Sequence, residues 1–238
     1  MSHSLNPTAM VTDGTLADFR VGVDTVIFSV DTKLHRLMVL LVMRSEDPFL
    51  GHWSLPGTLV RKGESLEQAA DRIRAEKIHV QNLYLEQLYT FGDPGRSPGG
   101  RVVSVVYWAL VESDEAALAV VDENVQWFSA DHLPPLAFDH NLIVEYALWR
   151  LRTKVEYSRI AHAFLGETFT LAQLREVHEA VLQKALDPAN FRRTIESSGT
   201  VVDTGQRVAG VPHRPPRLYR YNDSVHAVDS GALEPAIG

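Results

Sequence analysis

The stretch Gly63–Lys77, GESLEQAADRIRAEK, sets Glu64, Arg72 and Glu76 on a loop and the capped amphipathic helix that follows it. Carboxylates at such spacing suit magnesium-assisted attack on a pyrophosphate, because hard oxygen ligands hold the cation and the cation holds the substrate phosphates. Positions 73, 76 and 77 are three and four residues apart, so a helix is expected to turn them to one face. Two of the three are Ile73 and Lys77. A hydrocarbon supplies no ligand, and an ammonium about 4 Å from a unit positive charge costs roughly 1 to 4 kcal/mol in wet surroundings, about twice that for a divalent ion. The helix therefore predicts an anion pocket with no metal site and no catalytic residue. Lys77 would pair with Glu76 or with a ligand phosphate. Arg72 is expected to brace the loop through Glu64 or a backbone carbonyl.

Further ligand contacts are expected from elsewhere in the first half. Arg44 closes one strand, Phe91 and Asp93 stand at the mouth of another, Arg96 lies in the loop GDPGRSPGG and Arg101 follows it. Guanidinium groups suit phosphates and an aromatic ring suits a base. The Gly/Pro loop is polar enough to act as a lid. The ordinary alternative, that each of these is a solvated surface residue, stays open.

The elements that must position these groups are legible from periodicity. VGVDTVIFSV (21–30) and HRLMVLLVMR (35–44) read as a hairpin in a buried sheet, and LYLEQLYTF (83–91), RVVSVVYWALV (101–111) and VQWFS as further strands. Between them Ser65 and Gln68 form a capping-box signature for a helix from about Leu66 to Glu76 or Lys77. Strands on both sides of a helix suggest an α/β sandwich spanning residues 20–135, after an N-terminal arm of 1–19. HLPPLAF reads as the linker out of it.

From Asp139 the periodicity becomes helical. DHNLIVEYALWRLRTKVEY, with Asp139 as N-cap, reads as a helix leaving the first domain. FTLAQLREVHEAVL is capped by Thr170 and Gln173, and DPANFRRTIESSG carries Asp187 as cap, Pro188 in the first turn and Gly199 as stop. Two short strands around an arginine-bearing tip follow. This order, over residues 136–222, is that of a winged helix-turn-helix, with 223–238 as a flexible tail. Phe191 and Ile195 would face the core. Asn190 and Arg193 would then meet base edges, Arg192 phosphate, Arg214 a narrow minor groove, and Arg207 and Arg217 the flanking backbone.

Charge divides along the chain in the same place. The net charge of −7 lies wholly in residues 1–135, with 11 Lys+Arg against 18 Asp+Glu, while the remainder balances at 12 each. Residues 188–221 hold six arginines against Glu196 and Asp203, a local basic patch on an acidic chain. There are no cysteines, hence no disulfide framework or thiolate metal site. The longest apolar run, LMVLLVM, is strand length. With no secretion-signal pattern at the N-terminus, a cytoplasmic location away from the membrane is expected.

The segment 51–80 resembles the Nudix family. GHWSLPG matches the lead-in, and Glu64, Arg72, Glu76 and Val80 fall on motif positions, whereas Thr58, Ile73, Arg74, Lys77 and His79 depart from it. With LAFDHNLIVEYALWRLRTKVEY, DPANFRRTIESSG and RPPRLYRY behind it, the chain from about Arg20 to Tyr221 resembles the NrtR family of Nudix-related regulators of NAD metabolism. That resemblance implies a dimeric repressor of NAD biosynthesis or salvage genes on a palindromic operator of double-stranded DNA. It also implies ADP-ribose or a related NAD metabolite as effector, with no required cofactor. Two rivals stay open: an active magnesium-dependent ADP-ribose or nucleotide-sugar pyrophosphatase, and a nucleotide-sensing adaptor that binds another protein.

Overall fold

A computed structural model describes residues 18–77, 84–112, 123–157, 159–210 and 215–222. Seven strands form one mixed sheet: β1 (Arg20–Asp31), β2 (Arg36–Met43), β3 (Trp53–Ser54), β4 (Gly57–Leu59), β5 (Tyr84–Phe91), β6 (Val102–Val111) and β7 (Val125–Ser129). The order is β3-β2-β1-β6-β5, with β4 added to β1 and β7 to β2. β1 and β2 are the expected hairpin, paired through Phe28 and Val39, while β1 and β6 run parallel from Arg20↔Val102 to Ser29↔Val111.

Side chains alternate across a strand, so the nearly continuous apolar runs of β1, β2 and β6 fill both faces. One face presents Val23, Ile27, Leu40, Val105, Tyr107 and Ala109 to helix α1 (Leu66–Lys77), which answers with Ala69, Ala70 and Ile73. The opposite face presents Val26, Phe28, Val39, Leu41, Val106 and Trp108 to Ile143, Val144, Ala147 and Leu151 of α2 (His140–Tyr157). The first half is the α/β/α sandwich expected of it. Ser65 and Gln68 form the capping pair, Gln68 N donating to Ser65 Oγ at 3.2 Å and Ser65 N to Gln68 Oε1 at 2.8 Å.

Two sequence expectations need correction here. Ile73 does not share a face with Glu76: it is 1% exposed in the core beneath α1, while Glu76 is exposed. Burying its side chain removes apolar surface from water, which an ionised carboxylate there could not do without a large penalty. HLPPLAF is not an open linker. Leu136 and Ala137 are buried, and Ala137 N donates to Trp53 O at 2.8 Å. Asp139 stands at the N-cap position before His140, as expected: its carbonyl accepts from Ile143 N at 3.2 Å, while its carboxylate accepts two bonds from Arg96.

The second core continues without a break into the second half. It runs through a 3-10 turn (Arg159–Phe164) to Phe169, then Leu174, Val177 and Val181 of α3 (Leu171–Leu182), and on to Val201 and Tyr219. α4 (Pro188–Ser198) and the ribbon β8 (Val201–Arg207) and β9 (Arg217–Tyr221) complete the winged helix-turn-helix. Thr170 and Gln173 form the capping box on α3. Asp187 accepts from Asn190 N on α4, which ends at Gly199 with φ 69, a left-handed conformation that favours glycine. Arg152 on α2 ties the halves together, donating to Val181 O at 2.9 Å and to Asp131 at 2.6 Å.

Candidate ligand pocket and nucleic-acid interface

A cavity of about 550 Å³ opens where β1, the β2–β3 loop, β4, the β5–β6 loop and the entry of α2 meet. Its chemistry is set by a chain of buried charge. Arg96 reaches from the β5–β6 loop to Asp139 with bonds of 2.9 and 2.7 Å and lies 3.7 Å from Asp24. Asp24 also accepts a hydrogen bond from Ser104 Oγ. His140 Nδ1 accepts from Leu55 N at 2.9 Å, which leaves Nε2 to carry the proton, 3.8 Å from Asp24. Burial holds the His140 pKa below the ordinary histidine value, against the pull of Asp24 and Asp139, so the ring is neutral near pH 7. Gly57 is required beside it, because a Cβ there would collide with the Asp24 carboxylate.

Arg44 crosses the mouth of the cavity. Its guanidinium lies 4.8 Å from the Phe138 ring and donates to Pro48 O at 2.7 Å and Glu46 O at 3.2 Å. Phe138 itself sits at φ 56, a backbone conformation that costs free energy for a large side chain and clusters at ligand sites. Arg20 completes the rim, donating to Gly99 O at 2.6 Å.

Of the residues expected to touch ligand, Arg44 and Arg96 line this cavity; Phe91, Asp93, Arg101, Glu64, Arg72 and Glu76 do not. Phe91 stacks edge-on with Tyr89 and Tyr146, and Asp93 turns its own loop by accepting from Gly95 N at 2.8 Å. The side chain of Lys77 falls outside the described residues. Asp24, Phe138, His140 and Arg20 escaped sequence reasoning, although an acid within the apolar strand VGVDTVIF was a signal: a carboxylate facing a sheet interior needs a built partner.

Glu64 and Arg72 form a clasp under the neighbouring wall. Arg72 Nε donates to Glu64 Oε1 at 2.7 Å and Nη2 to Oε2 at 2.9 Å, while Arg61 N donates to Oε2 at 2.8 Å. These bonds lower the Glu64 pKa to about 2, the Arg72 pair first and the Arg61 amide second. Arg72 Nη1 also donates to Thr58 Oγ1 at 3.0 Å and Nη2 to Leu59 O at 3.2 Å, and Thr58 and Leu59 line the cavity. The bracing role read from the sequence is the geometry found. Glu64 is thereby engaged on both oxygens, and among the described residues no cluster of three or more acidic or histidine side chains is placed to hold a metal.

The candidate nucleic-acid face lies at the other end. Phe191 and Ile195 pack on the core as expected, leaving Asn190, Arg192 and Arg193 exposed on α4. Arg193 donates to Asn190 Oδ1 at 2.6 Å, and Arg192 pairs with Glu196 at 3.1 Å. In the ribbon Arg217 pairs with Asp203 at 2.7 Å, and Arg207 donates to Pro215 O at 2.7 Å. A hollow of about 470 Å³ between α3, α4 and the ribbon is lined by Arg175, Arg192, Arg207 and Arg217. Arg214, expected at the tip, falls outside the described residues.

A sandwich with an arginine-rimmed cavity, joined through a common core to a winged helix, defines a ligand-sensing regulator class. Residues 18–147 match the NUDIX domain and residues 161–221 the NrtR DNA-binding winged helix domain. The chain belongs to the NrtR family. It is 34% identical over 205 residues, 84% of this chain and 80% of the other, to the ADPR responsive transcriptional repressor of Acinetobacter baylyi. The crystal structure of Shewanella oneidensis NrtR complexed with a 27mer DNA is 38% identical, with a TM-score of 0.75 over 85% of this chain and 93% of that one. The Nudix domain of the same Shewanella protein, solved with ADP ribose, is 39% identical, with a TM-score of 0.51 over 60% of this chain and 95% of that one. The ADP-ribose pyrophosphatase of Methanocaldococcus jannaschii is 33% identical over 113 residues, 47% of this chain and 67% of that protein.

Proposed function

We propose that this chain is an ADP-ribose-responsive transcriptional repressor of NAD biosynthesis or salvage genes. It binds double-stranded DNA as a homodimer in the cytoplasm and does not hydrolyse its effector. The observation that carries the reading is the Arg96–Asp139 pair: a residue of the cavity loop is fastened to the residue that leads into α2, whose far half is fastened through Arg152 to α3 of the winged helix. A ligand shifts an equilibrium only through unequal affinity for its two states. A pyrophosphate entering beside Arg44 and Arg96 competes with Asp139 for the guanidinium, so ADP-ribose favours a different placement of α2 and of the helix behind it.

The relatives named as ADP-ribose-responsive and as crystallised with DNA support both halves of the proposal. Asn190, Arg192, Arg193, Arg207, Arg214 and Arg217 are the residues proposed to meet DNA, and a palindromic operator follows from two-fold symmetry. The test is an operator-binding assay by fluorescence polarisation, with a salt series and an ADP-ribose titration. Binding that falls steeply with salt and is reversed by ADP-ribose supports the proposal. Absence of operator binding rejects it.

A hydrolase is the second reading, favoured by the likeness to the archaeal pyrophosphatase. Against it stand Ile73, buried where the motif has a carboxylate, and Glu64, held by Arg72 and the Arg61 amide.

A further inference from the structure

Two polar atoms in the wall of the cavity face each other with nothing between them to bond. Asp24 Oδ2 is taken by Ser104 Oγ, whereas Asp24 Oδ1 accepts no hydrogen bond among the described residues. Opposite it His140 Nε2 stands 3.8 Å away, beyond hydrogen-bond reach, while its Nδ1 is committed to Leu55 N. His140 is 5% exposed, and both residues line the cavity. A buried donor without an acceptor costs free energy until something supplies one. The two groups are also fixed in place, since Oδ1 sits in the space that a side chain at Gly57 would fill.

One group that accepts from Nε2–H and donates to Oδ1 closes this gap, and a hydroxyl does both. A phosphate does not. Its oxygens accept from His140, but it brings no proton for Asp24 and carries about −1.5 to −2 charge at pH 7. The surroundings add to the mismatch: Arg96 lies 3.7 Å from Asp24 yet is bonded twice to Asp139, so two carboxylates stand against one guanidinium, and burial keeps His140 neutral. Arg44 at the mouth thus suits the anionic part of a ligand, and the wall behind it suits an uncharged, hydroxylated part. In dinucleotide sites a carboxylate on a ribose hydroxyl likewise separates the unphosphorylated cofactor from the phosphorylated one.

We propose that Asp24 and His140 form a hydroxyl-reading seat that takes a ribose hydroxyl of the effector and refuses a ribose that is phosphorylated there. The inference rests on the ADP-ribose reading and deepens it, because it states which forms of that nucleotide the chain tells apart. Discrimination of this kind comes from a built-in repulsion as much as from the bond that the correct ligand makes.

ADP-ribose carries two riboses, and the test assigns the seat to one of them. Isothermal titration calorimetry of the full chain without DNA or magnesium compares ADP-ribose, ADP-ribose phosphorylated on the adenosine ribose, and ADP-ribose phosphorylated on the terminal ribose. At least one phosphorylated form is expected to bind the wild type about tenfold or more weakly than ADP-ribose, and the form refused names the ribose in the seat. Asp24→Asn keeps the size and an acceptor but removes the charge, so the refused form is expected to come within about threefold of ADP-ribose. His140→Asn keeps an acceptor for Leu55 N and deletes Nε2, and is expected to weaken ADP-ribose itself by about fivefold. Circular dichroism checks the fold of both variants, and the wild-type comparison stands without either. Binding of both phosphorylated forms within tenfold of ADP-ribose overturns the inference. So does a folded Asp24→Asn that still refuses, or a folded His140→Asn that binds ADP-ribose as the wild type does. A wild type that takes up none of the three ligands overturns the ADP-ribose reading and this seat with it, whereas uptake without discrimination removes the seat alone.

Discussion

Arg96, in the loop between β5 and β6, holds Asp139 at the entry of α2 through two bonds of 2.9 and 2.7 Å, and only 5% of the Arg96 side chain is exposed. A desolvated pair of this geometry is costly to break on one side, because the remaining charge stays buried without its partner. Asp139→Asn is therefore expected to destabilise the chain by about 2 kcal/mol, read by urea unfolding. In operator-binding assays the same variant should keep its affinity for DNA while the ADP-ribose concentration needed for release changes by about tenfold. An unaltered response would remove this pair from the coupling route.

Ile73 offers a direct check on the helix. Restoring the motif with Ile73→Glu places a carboxylate among Val23, Ile27 and Tyr107. The expected result is a loss of stability of at least about 3 kcal/mol and no gain in AMP release from ADP-ribose with magnesium. A stable, hydrolytically active variant would show that the helix can turn this position outward.

The same residue shows what sequence alone delivers. Strand periodicity, the capping residues Ser65, Thr170 and Asp187, and the stop at Gly199 are local signals, and the elements they mark stand where they were read. The expected common face for positions 73, 76 and 77 rested on spacing alone. Spacing fixes which residues lie near one another, but the sheet beneath α1 decides which of them turn inward. The cavity was harder still. Asp24, Phe138 and His140 come from a strand and the entry of α2, separated by more than a hundred residues, and no local pattern brings them together. The β3 and β4 pairings were lost inside a Gly/Pro-rich stretch, since two- and three-residue strands carry no period to detect.

Acid should weaken the chain in two steps. His178 packs against Phe191 with ring centroids 5.3 Å apart, and burial lowers its pKa from 6.5 to about 4. The unfolded chain binds this proton first. Stability at the α3–α4 junction is thus intact above pH 6.5 and declines as pH falls towards 4, by on the order of 3 kcal/mol in total. Glu64, lowered from 4.5 to about 2, follows the carboxylate pattern: its contribution is present above pH 4.5 and is lost as pH falls towards 2. Urea unfolding of the wild type and of His178→Gln between pH 7 and 2 separates the two. The variant should lose the upper part of the slope and keep the lower.

On the proposed nucleic-acid face, Arg193 donates to Asn190 Oδ1 within α4. Arg193→Ala is expected to weaken operator binding by about 1 to 3 kcal/mol and to relax preference at one base pair. Arg207→Ala should weaken binding to all sequences alike and reduce the salt slope by about one. Equal effects of the two variants on specific and nonspecific DNA would remove the base-reading role from α4.

The account stands most directly on one titration: ADP-ribose added to the protein–operator complex, with DNA release and AMP followed in the same sample in the presence of magnesium. It predicts full release of the operator with AMP staying at background. A complex indifferent to saturating ADP-ribose, or AMP appearing at about 1 s⁻¹ or faster as in an ordinary enzyme, would contradict it.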